Sequence, residues 1–160
     1  DTWNGERGEL NVERQGLNEC MLATIAALQR RPLDKVRAEA CRAAQVDTWN
    51  DVVQHAFVTR VYDAYWQAIE QVAGPDLYPI VYFRRAAMMV PTAEERAIPS
   101  SGRGVILVTF QVTTHIMPWE NGLIYDPMDP HPVTLQDWLH AHPTATILAI
   151  RPISEERTHV

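Results

Sequence analysis

The sequence predicts an α+β domain in which helices come first and an antiparallel sheet follows. Apolar residues recur at helical spacing through the first half of the chain. Short β-branched or aromatic runs bounded by Gly, Pro and Asp fill the second, and the pattern changes at Gly74-Pro75. With 160 residues, 46% of them hydrophobic, there is apolar material for one substantial core and too little length for two, so a single domain over 1–160 is expected.

Residues 1–15 are polar and irregular and read as an arm crossing the surface. Over 18–31 the residues Cys20, Met21, Leu22, Ile25, Ala26 and Leu28 are apolar on nearly every side, the pattern of a central helix enclosed by other elements, and Arg30 and Arg31 suit its C-terminal end. Pro32 opens a second helix with Leu33, Val36 and Ala40 on one face. Thr48 followed by Asp51 matches a capping box, and the helical spacing of Val52, Phe57, Val61, Tyr65 and Ile69 predicts one long third helix over 49–72. "YPIVYF", "VILVTF", "GLIYD" and "TILAI" then read as four strands. "RRAAMMVPTAEERAIPSSGRG" reads as a proline-broken, substrate-side loop and "TLQDWLHAH" as a short helix before the last strand.

Composition narrows the function classes. A net charge of -6 and a pI near 5.4 argue against nucleic acid as partner, because phosphate backbones call for a basic face. No apolar run approaches the roughly 20 residues that span a bilayer, and "DTWNGERGEL" lacks the basic and apolar parts of a signal peptide, so no membrane association is expected. The two cysteines both fall in helical segments, which speaks against a disulfide framework and for a reducing, cytoplasmic setting. No glycine-rich phosphate loop, dinucleotide fingerprint or paired-cysteine zinc motif occurs, so no cofactor is expected. His131, His140 and His142, with Asp126 and Asp129 nearby, are conceivable metal ligands, but the histidines at 140 and 142 read better as the solvated end of a short helix, and no metal is expected. Cys41 reads as a packed thiol, and Trp49, Tyr62, Tyr65 and Trp66 as core.

Cys20 is the residue that asks for chemistry. It stands where the polar turn "QGLNE" gives way to the apolar helix, so it is either a small buried hydrophobe or a nucleophile whose thiolate is favoured by the unsatisfied N–H groups and dipole of a helix start. In "GVILVTFQVTTHIMPWENGLIYDP" one strand carries His115, a turn at Glu120-Asn121-Gly122 makes a hairpin, and the next strand ends in Asp126-Pro127. Closure at that turn sets His115 and Asp126 on neighbouring strands at comparable height. A carboxylate on one ring nitrogen fixes the tautomer and leaves the other to take a thiol proton.

A helix-start cysteine in "QGLNECMLATIAALQRRPLDKV", then the histidine strand, then "GLIYDP" resembles the papain-like cysteine peptidase superfamily, in particular its compact bacterial and phage branch, which includes bacteriocin-leader-processing peptidases. The resemblance covers 15–36 and 104–127, and none is found over 45–102. It implies a papain-like fold with Cys20 as nucleophile, His115 as general base and acid, and Asp126 as orienting residue. It further implies that Gln15 completes an oxyanion hole with the Cys20 backbone N–H. The chain departs from the family in three places. Gln15 lies five positions before Cys20 where many relatives have six, Glu19 replaces a small or aromatic neighbour, and bulky "IMPW" follows His115. Asn18 is an alternative oxyanion donor.

The resulting expectation is a cysteine peptidase or amidase that opens a peptide or isopeptide bond in a peptide or protein substrate, acting in its own cytoplasm or, as an effector, in that of a host. Two alternatives stay open: a catalytically degenerate domain that binds a peptide or partner protein, and a transglutaminase- or deamidase-type acyl transferase, since a Cys-His-Asp set does not choose its acceptor. The oligomeric state is not legible.

Overall fold

The helices α1 (Cys20–Gln29), α2 (Leu33–Ala44), α3 (Trp49–Thr59) and α4 (Asp63–Ala73) precede a five-stranded sheet in a computed structural model that describes residues 10–77, 97–110 and 113–153. The strands are β1 (Arg103–Phe110), β2 (Thr113–Glu120), β3 (Leu123–Asp126), β4 (Asp129–Thr134) and β5 (Ala145–Pro152), with a short helix α5 (Leu135–Ala141) before the last. Their order is β4-β3-β2-β1-β5 and every neighbouring pair is antiparallel. The expected α+β order therefore holds.

Alternation along β1 explains why its run is wholly apolar. Val105 and Leu107 join the core beneath the helices, whereas Ile106 and Val108 join a second core on the opposite face with Met117, Trp119, Ile124 and Trp138. Both faces of the sheet are thus covered, and a residue pointing either way must be apolar. Gly104 belongs to the same logic: a Cβ there would stand 2.1 Å from the Arg151 carbonyl oxygen and 2.7 Å from the Trp119 ring, so the close approach of β5 leaves room only for hydrogen.

Local signals were sound. Thr48 Oγ1 accepts the Asp51 N–H at 3.3 Å and starts α3, and Asn121 and Gly122, with φ of 50° and 81°, turn the β2–β3 hairpin as the Asn-Gly pair predicts.

Tyr62, expected in the core, is exposed at the start of α4, and three expectations about whole elements also need correction. The long third helix is two helices, because Arg60 adopts a left-handed φ of 63° after Thr59 has turned its hydroxyl back to the His55 carbonyl at 2.8 Å; no Gly or Pro advertises that break. β4 lies in the Pro-rich "DPHPVT", where no strand is expected; it is tolerated because β4 is the edge among the described strands, where a missing N–H costs no ladder bond. The arm is not simply a surface crossing. Leu10 and Val12 are buried, Leu10 N–H donates to Glu120 Oε1 at 2.9 Å, and Glu13 Oε2 accepts Leu33 N–H at 2.6 Å, capping α2 where Pro32 offers no side-chain cap. The expected "YPIVYF" strand and most of the following loop lie outside the described residues.

Candidate active site

The site lies where the two cores meet. Cys20, the first residue of α1, is half-buried against the helix-side core, while Asp126, at the end of β3, is buried. His115 joins them. Its Nε2 lies 2.7 Å from Asp126 Oδ1, and the Cys20 thiol acts on the same imidazole as hydrogen-bond partner and as charge. With Nε2 committed to the carboxylate, Nδ1 is the nitrogen left for sulfur. The two strand residues stand diagonally rather than level: Trp119 pairs with Ile124, and His115 lies four residues before the one while Asp126 lies two beyond the other.

Long-range contacts hold this geometry. Thr24, fully buried one turn after Cys20, donates its hydroxyl to the Ile116 carbonyl at 3.3 Å, tying α1 to the residue after His115. Asp126 Oδ1 also accepts the Met128 N–H at 2.9 Å, and Oδ2 accepts the Trp138 indole N–H at 3.0 Å. The Gln15 N–H donates to the Pro127 carbonyl at 2.9 Å and Arg14 Nη1 to that of Met128 at 2.6 Å, so the strap leading to Cys20 is laced to the turn that follows Asp126.

The electrostatics follow from these partners. Burial works against a charged His115, but the hydrogen bonds to Asp126 and Cys20 outweigh it and raise its pKa to about 9. Burial likewise opposes the Asp126 carboxylate, and its bonds from His115 and Trp138 overcome this and hold its pKa below the usual value. A raised histidine stabilises the fold fully below its unfolded pKa of about 6.5 and loses that contribution as pH rises towards 9. The depressed carboxylate contributes above its unfolded pKa, and that contribution is lost as pH falls through the folded one. Urea midpoints at pH 6, 7.5 and 9.5 should therefore fall more steeply for the wild type than for His115→Gln, which has no imidazole to titrate; parallel curves would contradict the coupling.

Glu19 does not face the thiol. It is buried and receives Arg37 Nε at 2.5 Å, Arg37 Nη2 at 2.8 Å and the Gly16 N–H at 2.8 Å. Burial alone would raise its pKa, yet the bonds from Arg37 and Gly16 lower it, so the residue that precedes α1 is a carboxylate in an ion pair with a guanidinium. Nor does the bulk after His115 narrow a cleft: Ile116 is buried in the helix-side core, and Met117 and Trp119 in the other.

Of the residues expected at the site, the structure brings Cys20, His115 and Asp126 together. The Gln15 side chain donates from Nε2 to the Gly16 carbonyl at 3.2 Å. Asn18 donates its amide to Asn50 Oδ1 at 2.8 Å and so links the turn to α3. His131 and Asp129 are exposed, 3.9 Å apart, and His140 is exposed. His142 is not a solvated helix end: it is half-buried and stacked on Trp138 with ring centroids 4.1 Å apart. Cys41 is buried, and that burial raises its pKa.

Arg37, Thr24 and Trp138 were missed as contributors. Only Trp138 left a trace, since a tryptophan in a short amphipathic helix needs a partner for its N–H once buried. Compared with protein-family models, with curated proteins and with solved structures, the chain matches none, and what the site does is to be read from its own chemistry.

Proposed function

We propose that the chain is a papain-like thiol hydrolase, a cysteine peptidase or amidase acting on a peptide or isopeptide bond in a peptide or protein substrate. The observation that carries this reading is His115 standing between Cys20 and a three-donor carboxylate, Asp126. A packed cysteine and a strand histidine have no reason to share a hydrogen-bonded line with a buried acid.

The thiol proton passes to the His115 imidazole as the Cys20 sulfur attacks the substrate carbonyl. The carbonyl π electrons move to oxygen, where the Cys20 backbone N–H at the helix start, left uncapped by the Glu19 side chain, stabilises the oxyanion. The second amide hydrogen of Gln15 is the candidate second donor. His115 then gives its proton to the departing amine and the C–N bond breaks, leaving a thioester. Water, deprotonated by His115, attacks that thioester and releases acid and thiol.

The pairing of Glu19 with Arg37 and the burial of Ile116, Met117 and Trp119 remove two of the three departures that favour the degenerate binding domain, leaving the Gln15 spacing. Iodoacetamide at pH 6 provides the test. An ordinary thiol is then less than about 1% ionised, so Cys20 beside the His115 imidazolium should label at least about tenfold faster than Cys41, with peptide mapping reading both rates. Equal labelling of the two cysteines would leave the binding domain as the better account.

A further inference from the structure

We infer that Trp138 is a positioning residue of the site: its indole N–H holds the second oxygen of Asp126 and thereby fixes the plane in which the first oxygen meets His115. The torsion that orients an aspartate carboxylate is broad and roughly two-fold, so one anchored oxygen leaves the other free to swing. Oδ1 takes His115 Nε2 and the local Met128 N–H, whereas Trp138 is the donor to Oδ2 among the described residues.

The indole is itself held. Trp138 is 3% exposed in the second core, on a helix started by Thr134 Oγ1 accepting the Asp137 N–H at 3.1 Å. His142, one turn on, stacks on its ring at an interplanar angle of 17° and donates Nδ1–H to the Trp138 carbonyl at 2.8 Å. Phe110, whose ring centroid is 5.9 Å from that of Trp138 and 6.4 Å from that of His115, fills the remaining side. A helix outside the catalytic hairpin thus delivers one N–H to the carboxylate.

The inference rests on the thiol-hydrolase reading only for its kinetic consequence, so the test includes readouts that need no turnover. Trp138→Phe keeps an aromatic ring and removes the donor. A donor to the charged form favours it, so without this bond the Asp126 carboxyl, followed by carbon-13 NMR, should titrate about one pH unit higher. Turnover should fall about tenfold in kcat with KM unchanged.

Thermal unfolding of a double-mutant cycle supplies the second readout. Three N–H donors converge on Asp126, and Oδ1 already serves two of them, so in Asp126→Asn the new amide NH2 faces the Trp138 N–H. Trp138→Phe should then lower the midpoint in the wild-type background and cost less, or raise it, in the Asp126→Asn background. If Trp138→Phe fails to fold, 3-benzothienylalanine at 138, which replaces the N–H by sulfur at constant shape, carries the same measurements.

An unmoved carboxyl titration or an additive cycle overturns the assignment whatever the activity. A moved titration with a non-additive cycle supports it even in a chain without turnover, and the absence of turnover then counts against the hydrolase reading alone.

Discussion

Cys20→Ala is expected to abolish hydrolysis, a loss on the order of 10⁶ in kcat, while leaving the thermal midpoint within about 3 °C of the wild type. The loss is large because no other described group is placed to form the thioester; Cys41 is buried, with its pKa raised. The fold should survive because Cys20 is only half-buried at the rim of the helix-side core, whereas Met21, Leu22 and Ile25 carry the packing of α1. Cleavage of a fluorogenic peptide panel and thermal unfolding, measured on the same preparation, check both halves. Wild-type turnover in the variant would remove Cys20 from the mechanism.

His115→Ala should be nearly as damaging, and Asp126→Asn less so, with a loss on the order of 10²–10⁴. In the proposed mechanism the imidazole is chemically required, since it takes the thiol proton and gives it to the leaving amine, whereas Asp126 acts on geometry and tautomer. An amide in its place keeps one acceptor but sets an NH2 against a donor, because His115, Met128 and Trp138 all point N–H groups at it. Should the NH2 turn to His115 instead, Nε2 becomes an acceptor and the ring proton moves to Nδ1, facing the thiol it should accept from. The wild-type kcat/KM profile adds a check: with His115 titrating at about 9, activity should fall on the alkaline side near that pH, as the imidazolium that protonates the leaving group is lost. Asp126→Asn, which removes the carboxylate that raises His115, should bring that limb to lower pH. An alkaline limb unmoved by Asp126→Asn would mean that another group sets it.

What the sequence determined by itself was whatever a few neighbouring residues can decide. Thr48 with Asp51 starts a helix because a hydroxyl and an N–H three residues on meet within one turn, and Asn121-Gly122 closes a hairpin because both tolerate the left-handed backbone it needs. From that hairpin His115 and Asp126 follow as strand neighbours, and the change of apolar period from helical to extended makes the order α then β legible. Cys20 at a helix start was legible for the same reason. Only the tertiary structure decided what those residues meet. That α1 brings Cys20 to an imidazole on β2 depends on contacts such as Thr24 to Ile116. That the Glu19 carboxylate is paired depends on Arg37, one helix away. Trp138 reaching Asp126 and the edge position that admits Pro130 and Pro132 in β4 depend on how the sheet is assembled. The left-handed Arg60 that divides α3 from α4 carries no Gly or Pro to announce it, and it stands where two helices turn to pack on the same core. Local structure arises from interactions spanning a turn or two of chain, which the order of residues displays directly. The site arises from side chains that meet only after the chain has folded onto itself.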